Sequence, residues 1–301
     1  MKRIVSVSIG ASSRNHSVTV DICGQDFLIE RIGTDGDLKK AIQLIEELDG
    51  KVDVFGMGGI DLYLYGGNGR RYVIRAALPL ARAAQKTPIV DGSGLKNTLE
   101  RDVVNFLHRD CGLDLKGKKV LLVSAMDRFG MAEGFTGMGC DMIFGDVMFA
   151  LGLPIPIRSL KNLHRLASAL MPIICRLPFH WLYPTGHEQE KVFAKYNDYY
   201  QVADIIAGDF LYIKRYLPDH LEGKVIVTNT ITRNDVQMLK EKGVKLLVTS
   251  TPEFNGRSFG TNVIEALIVS LSGKRPEDIT ADMYARLIRE FGITHRVEYL
   301  N

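Results

Sequence analysis

The stretch Leu115-Lys-Gly-Lys-Lys-Val-Leu-Leu-Val123, running on into Ser124-Ala-Met-Asp-Arg-Phe-Gly130, decides the fold. Residues 120–123 are apolar without alternation, which marks a strand buried on both faces and hence a parallel sheet covered by helices. A helical pattern over 131–138 and a short strand at 142–144 complete one βαβ unit. The loop after such a strand lies at the carboxyl end of the sheet, where open α/β sheets bind ligands.

Toward the N-terminus, residues 4–9, 17–22 and 27–32 are short and rich in Val and Ile. The last two flank Cys23-Gly-Gln-Asp26, a hairpin-type connection. Thr34-Asp-Gly-Asp37 caps a helix over 38–48, whose apolar residues recur at three and four and which stops at Asp49-Gly50. A strand at 52–55, a helix at 74–84, a strand at 88–90 and a helix at 97–108 close this first unit. Toward the C-terminus, strands at 205–207, 225–228 and 245–249 alternate with helices at 210–215 and 234–242, and helices at 262–271 and 281–291 follow. The order predicts an α/β protein of two domains. Residues 1–115 form a substrate-side α/β unit, and 116–275 a doubly wound, mostly parallel Rossmann-like sheet with a helical insertion at 147–200. A C-terminal helix lies within 276–301.

Composition narrows the function classes. At 301 residues, 46% hydrophobic and 24% charged, the chain reads as an ordinary globular protein large enough for two cores. Its formal charge is +3 and no five like charges run together, so neither nucleic acid nor an anionic membrane is an expected partner. Met1-Lys-Arg3 is basic, but the apolar residues after it alternate with Ser, which suits a first strand rather than a signal peptide. The longest apolar stretch, 166–174, falls short of the ~20 residues that cross a bilayer. Cys23, Cys111, Cys140 and Cys175 form no CxxC pair, as expected of reduced thiols in a cytoplasmic protein without structural zinc.

The residues that follow each strand are the candidates for chemistry. In 124–130, free amides at a helix start favour an anion, and Arg128 adds a guanidinium. Against the GxGxxG fingerprint only Gly130 matches, with Ala125 and Asp127 at the other glycine positions. Asp146, about 20 residues on, stands where an acid bonds ribose hydroxyls. Helix capping by Asp127 and Arg128 accounts for the same residues equally well. Ser124, Asp127, Arg128, Phe129, Gly130 and Asp146 are thus the first cofactor candidates. Gly208, Asp209, Asn229, Thr230, Thr249 and Ser250 extend the set as small polar residues at three further strand ends. In Asp91-Gly-Ser-Gly-Leu-Lys96, Lys96 is a candidate proton donor oriented by Asp91, with a plain glycine loop as the alternative. Gly58, Gly59, Asp61, Ser93 and Arg257 complete a candidate substrate side. His180 and His187, with Glu188 and Glu190 nearby, lack metal-binding spacing, and neither GxSxG nor a P-loop occurs.

Segments 31–36, 91–100, 127–132 and 256–262 resemble a bacterial family labelled quinate 5-dehydrogenase, and 115–123 resembles the entry to the cofactor domain of shikimate and quinate dehydrogenases. The resemblance spans nearly the whole chain. It implies NAD, or NADP, as cofactor, a polyhydroxy carboxylate as small-molecule substrate, and Lys96 with Asp91 as the proton-transfer pair. The Ser-x-Thr-x-Pro-x-Lys substrate motif of shikimate dehydrogenases is absent. The expected function is therefore hydride transfer. The alternatives are a transferase or lyase acting on a nucleotide or phosphorylated substrate, and a metabolite-binding sensor. A homodimer surface is expected in the aromatic insertion around Trp181.

Overall fold

The computed structural model describes residues 1–66, 70–178 and 195–301. The chain opens with β1 (Lys2–Ser8), β2 (His16–Ile22), β3 (Gln25–Gly33), α1 (Leu38–Leu48) and β4 (Val54–Gly58). The hairpin β5 (Tyr63–Tyr65) and β6 (Arg71–Val73) follows, then α2 (Leu78–Ala83), β7 (Ile89–Val90) and α3 (Ser93–Arg109). Next come β8 (Lys119–Leu122), α4 (Phe129–Gly137), β9 (Asp141–Phe144), α5 (Asp146–Leu151), α6 (Leu160–Ile174) and α7 (Asn197–Val202). The alternation continues through β10 (Ile205–Ala207), α8 (Phe210–Arg215), β11 (Val225–Thr228), α9 (Arg233–Glu241) and β12 (Leu246–Thr249). The chain closes with the hairpin β13 (Glu253–Phe254) and β14 (Arg257–Ser258), α10 (Thr261–Ser272), α11 (Ala281–Glu290) and β15 (Arg296–Tyr299).

Two sheets organise these elements into two α/β domains. The first has the order β2-β3-β1-β4-β7, parallel except for the β2–β3 hairpin. The second has the order β15-β12-β11-β10-β8-β9, parallel except for the edge strand β15. In each, the strand order reverses beside the first parallel strand, between β1 and β4 and between β8 and β10. A crevice opens at such a switch point because the flanking connections leave on opposite faces. Parallel strands in register keep the carboxyl ends level, with Ser8 facing Gly33 and Gly58, and Leu122 facing Phe144 and Ala207.

The unalternating strands 120–123, 225–228 and 246–249 are buried throughout, as their sequence requires. Helices α4 and α6 cover one face of the second sheet, with Phe135, Leu163 and Met171 in that core. Helices α5, α7, α8 and α9 cover the other through Phe149, Tyr200, Phe210 and Leu239.

Several limits differ from the sequence reading. Helix α3 begins at Ser93, not 97, so Lys96 stands in its first turn rather than in a loop. The second domain does not run unbroken to 275: α10 returns to the first sheet, packing against β1, β4 and β7. Apolar on nearly every side, α10 is buried from Thr261 to Ser270 and needs a covered seat. The C-terminal segment carries β15 as well as a helix, because Arg296 to Tyr299 pairs with the exposed edge of β12. Of the insertion, α5, α6 and α7 are described, whereas Trp181, His180, His187, Glu188 and Glu190 lie outside the described residues. Among those residues no helix is long and apolar enough to cross a membrane.

The corner between β7 and α3 is held from α10 and α11. Glu265 accepts from the Gly92 amide at 2.6 Å and from the Tyr284 hydroxyl at 2.6 Å. Gly92 has φ of 92°, and a Cβ there would lie 2.6 Å from the Asn262 nitrogen. Gly24, with φ of 77° in the β2–β3 turn, faces open space.

Gly92→Ala, which combines left-handed strain with a backbone clash, is expected to destabilise by about 3 kcal/mol in urea unfolding, against about 1 kcal/mol for Gly24→Ala. Equal losses would refute the close approach. Burial raises the carboxyls of Glu265, to about 8, and Asp146, to about 7, from ordinary values of 4.5 and 3.8. The folded state therefore binds more protons than the unfolded chain through this window, and stability is expected to be highest at its acid end and to fall as pH rises to 8. Thermal midpoints that rise between those limits would contradict this.

Candidate functional site

The two switch points face each other across one cavity of about 230 Å³. The first domain lines it with the ends of β1 and β4 and the turns that follow them (Ser8, Gly10, Ala11; Gly58, Gly59, Asp61), and the second with the turns after β8 (Asp127, Arg128), β10 (Asp209) and β11 (Asn229, Thr230). Arg14, Arg31 and Tyr212 reach the same space.

Helix α3 joins the two sides. Lys96 and Glu100 are one turn apart and project from one face. Lys96 Nζ donates to Asp61 Oδ2 at 3.1 Å and to Asp127 Oδ1 at 2.6 Å. Glu100 Oε1 accepts from Arg128 Nη1 at 2.6 Å. Arg128 and Glu100 are 2% and 1% exposed, so this pair is desolvated and each charge depends on the other. The second fork of Arg128, Nη2, donates to Asp209 Oδ2 at 3.1 Å, and the Asn229 amide donates to the same oxygen at 2.9 Å. Asp209 Oδ1 meanwhile caps α8 by accepting from the Leu211 amide at 2.9 Å.

These contacts set the charges. Burial pulls Lys96 down, but Asp127 and Asp61 outweigh it and hold the ammonium above the usual lysine range. Asp61 is raised to about 8, by burial above all and against the pull of Lys96. Burial likewise lifts Glu100, to about 7. Asp209 moves the other way, because Arg128 and the Asn229 and Leu211 hydrogen bonds overcome burial.

The expected roles are redistributed. Asp91 does not orient Lys96: its Oδ2 accepts from the Leu62 and Tyr63 amides at 2.6 and 3.0 Å, and its Oδ1 from the Ser93 hydroxyl at 2.7 Å. Asp91 and Ser93 thus shape the loop after β4. Phe129 stacks on His164 with centroids 4.9 Å apart, and Gly130 packs against Asn97 of α3. Ser124 Oγ accepts from the Asp209 amide at 3.4 Å, and Gly208 supplies the carbonyl that accepts from Thr228. Thr249 bonds the Thr251 carbonyl at 2.6 Å and the Ser250 carbonyl meets His295 at 3.1 Å, so neither lines the cavity. Arg257 lies outside the central cavity, in an adjoining one.

The turn after β8 does not form the expected dinucleotide seat. The Met126 amide donates to Asp146 Oδ1 at 2.7 Å and the Arg128 amide to the Ala125 carbonyl at 3.0 Å. Asp146 therefore fills the turn from inside instead of reaching a ribose, and the Asp127 carboxylate stands where a pyrophosphate would come. With the Met126 and Arg128 amides bonded internally and the Asp127 side chain over the turn, the free donors that a diphosphate needs are missing there. The expectation of an NAD-dependent oxidoreductase of the quinate type is overturned on this geometry.

Sequence reasoning passed over Arg14 and Arg31. The signal was present in Ser8-Ile-Gly-Ala-Ser-Ser-Arg14, a small-residue loop directly after a buried strand. Among the described residues no cluster of three or more His, Cys, Asp or Glu is placed to hold a metal.

No curated protein matches the chain. Solved structures similar to it include a galactofuranose binding protein, at 11% identity over 97% of this chain and 99% of that one, with a TM-score of 0.39. A glucose-galactose binding protein from Geobacillus stearothermophilus shows 10% identity over 99% and 97% of the chains, with a TM-score of 0.38. The hetero-hexameric glutamate dehydrogenase of Thermus thermophilus in its Leu-bound form shows 13% identity over 97% and 74%, with a TM-score of 0.42. One family model, Domain of unknown function (DUF8753), matches residues 3–91. A second, Domain of unknown function (DUF8754), matches residues 94–300, and the chain belongs to that family.

Proposed function

We propose that the protein binds a small polyhydroxylated metabolite between its two domains. The observation that carries this reading is the facing pair of switch points, which bring fixed donors and acceptors from both sheets to one cavity. A hydroxyl group both donates and accepts, so it is best held where the two kinds of group alternate. Asp61, Asp127 and Asp209 supply acceptors, and Lys96, Arg128 and the Asn229 amide supply donors. Because these groups already hold one another in place, little ordering entropy remains to be lost on binding. The apolar edges of Phe259 and Phe210 suit the carbon face of a ring.

A melting screen of sugars, polyols, sugar acids and sugar phosphates tests this. A ligand at a hundred times its Kd adds about 2.7 kcal/mol, which raises the midpoint by several degrees. Asn229→Ala and Lys96→Met are expected to weaken that ligand about tenfold or more in calorimetry, each removing a hydrogen bond to or beside the cavity. A screen without a binder from this class, or a binder indifferent to both substitutions, would overturn the reading.

A further inference from the structure

Beside the central cavity lies a second, of about 620 Å³, between the loop after β1 and the start of α9. Its wall carries Arg14, His16, Lys214, Arg233 and Arg257. One acid, Asp235, shares that wall, and it is committed already: Lys214 donates to it at 2.8 Å, and the Thr232 hydroxyl at 2.6 Å. Arg14 borders both cavities.

Arg14, Arg233 and Arg257 on this wall, and Arg31 on the central cavity beside it, form no ion pair with a carboxylate among the described residues; Asp35 acts on Arg31 and Asp235 on Arg257 only at longer range. Arg31 donates only to neutral groups, the Ala11 carbonyl at 3.0 Å, the Ser8 hydroxyl at 2.9 Å and Asn15 at 3.4 Å. Arg257 donates from Nη1 to the Arg14 carbonyl. It is only 5% exposed, yet its Nε and Nη2 have no acceptor, and neither has Nη2 of Arg14. Burial and the neighbouring guanidinium groups bring Arg31 down to about 9 and Arg257 to about 10. His16 is lowered too, by burial and then by Arg257. Crowded, desolvated cations are costly unless an anion offsets them.

We propose that this second cavity is an oxyanion site that takes a phosphate group carried by the ligand of the central cleft. The inference rests on the cleft reading for the ligand's other end and adds its charge. A phosphate offers a dianion and several acceptor oxygens, which match guanidinium forks better than one carboxylate does. Arg14, standing between the cavities, bridges the hydroxyl-binding and phosphate-binding ends.

Calorimetry in phosphate-free buffer decides the matter, with inorganic phosphate, acetate and a hexose phosphate as probes. The proteins are the natural sequence, Arg257→Gln, Arg14→Gln and, as a charge-matched control, the exposed Lys274→Gln. Phosphate is expected to bind more tightly than acetate, a hexose phosphate more tightly still, and both to weaken about tenfold or more in the two arginine variants but not in the control. Arg14 is partly exposed, so its variant keeps the test open if Arg257→Gln fails to fold. Absent phosphate binding, equal binding of acetate, or an unchanged affinity in a folded arginine variant would overturn the site. A hexose phosphate no tighter than phosphate would break the link between the cavities. Neutral sugars bound by a protein that ignores phosphate would sink this inference and leave the cleft reading standing.

Discussion

Lys96 and Glu100, four residues apart on α3, meet Asp127 and Arg128, consecutive in the turn after β8, in two crossed ion pairs. The register of a helix turn against two adjacent residues leaves little freedom in how the second sheet faces the first. Desolvated pairs of this kind add little net stability, since burial consumes most of the Coulomb gain. Their consequence is placement: removing one partner strands the other, so competing orientations of the two domains are penalised.

From that placement follows the cavity. Both sheets reverse their strand order beside their first parallel strand, and α3, which packs along α4 and sends Val103 and Leu107 into the second core, holds the two crevices together along with these ion pairs. The same pairs close the turn after β8 against a dinucleotide, because Asp127 points into the space that a pyrophosphate needs. Arg128, which the sequence offers as a phosphate ligand, directs one terminal nitrogen to Glu100 and the other to Asp209. The excess positive charge stands instead on the loop after β1 and on β14.

The sheet strands were legible because buried parallel strands are written as short apolar runs, and 225–228 and 246–249 carry that mark without interruption. Helix α1 was equally plain, with Asp37 capping it through the Lys40 amide. The return of α10 to the first sheet was not legible. An all-apolar helix announces that it is buried but not against what. β15 carries alternation too brief to separate from a tail. At the site, position after a strand identified Asp61, Lys96, Asp127, Asp209 and Asn229 as neighbours of one cleft, but not their partners. Asp91 lies five residues from Lys96 in sequence yet turns to the amides of Leu62 and Tyr63, while Asp127 crosses from the other domain. Pairing over such distances is fixed by topology, which local spacing does not encode.

The placement of the two domains depends on the coupling between Glu100 and Arg128. A double-mutant cycle with Glu100→Gln, Arg128→Gln and the combined variant, read by urea unfolding, measures it directly. A coupling of about 2 kcal/mol or more is expected if the pair fixes how the domains meet, the double variant being less unstable than the sum of its parts. Losses that add to within about 0.5 kcal/mol would contradict it.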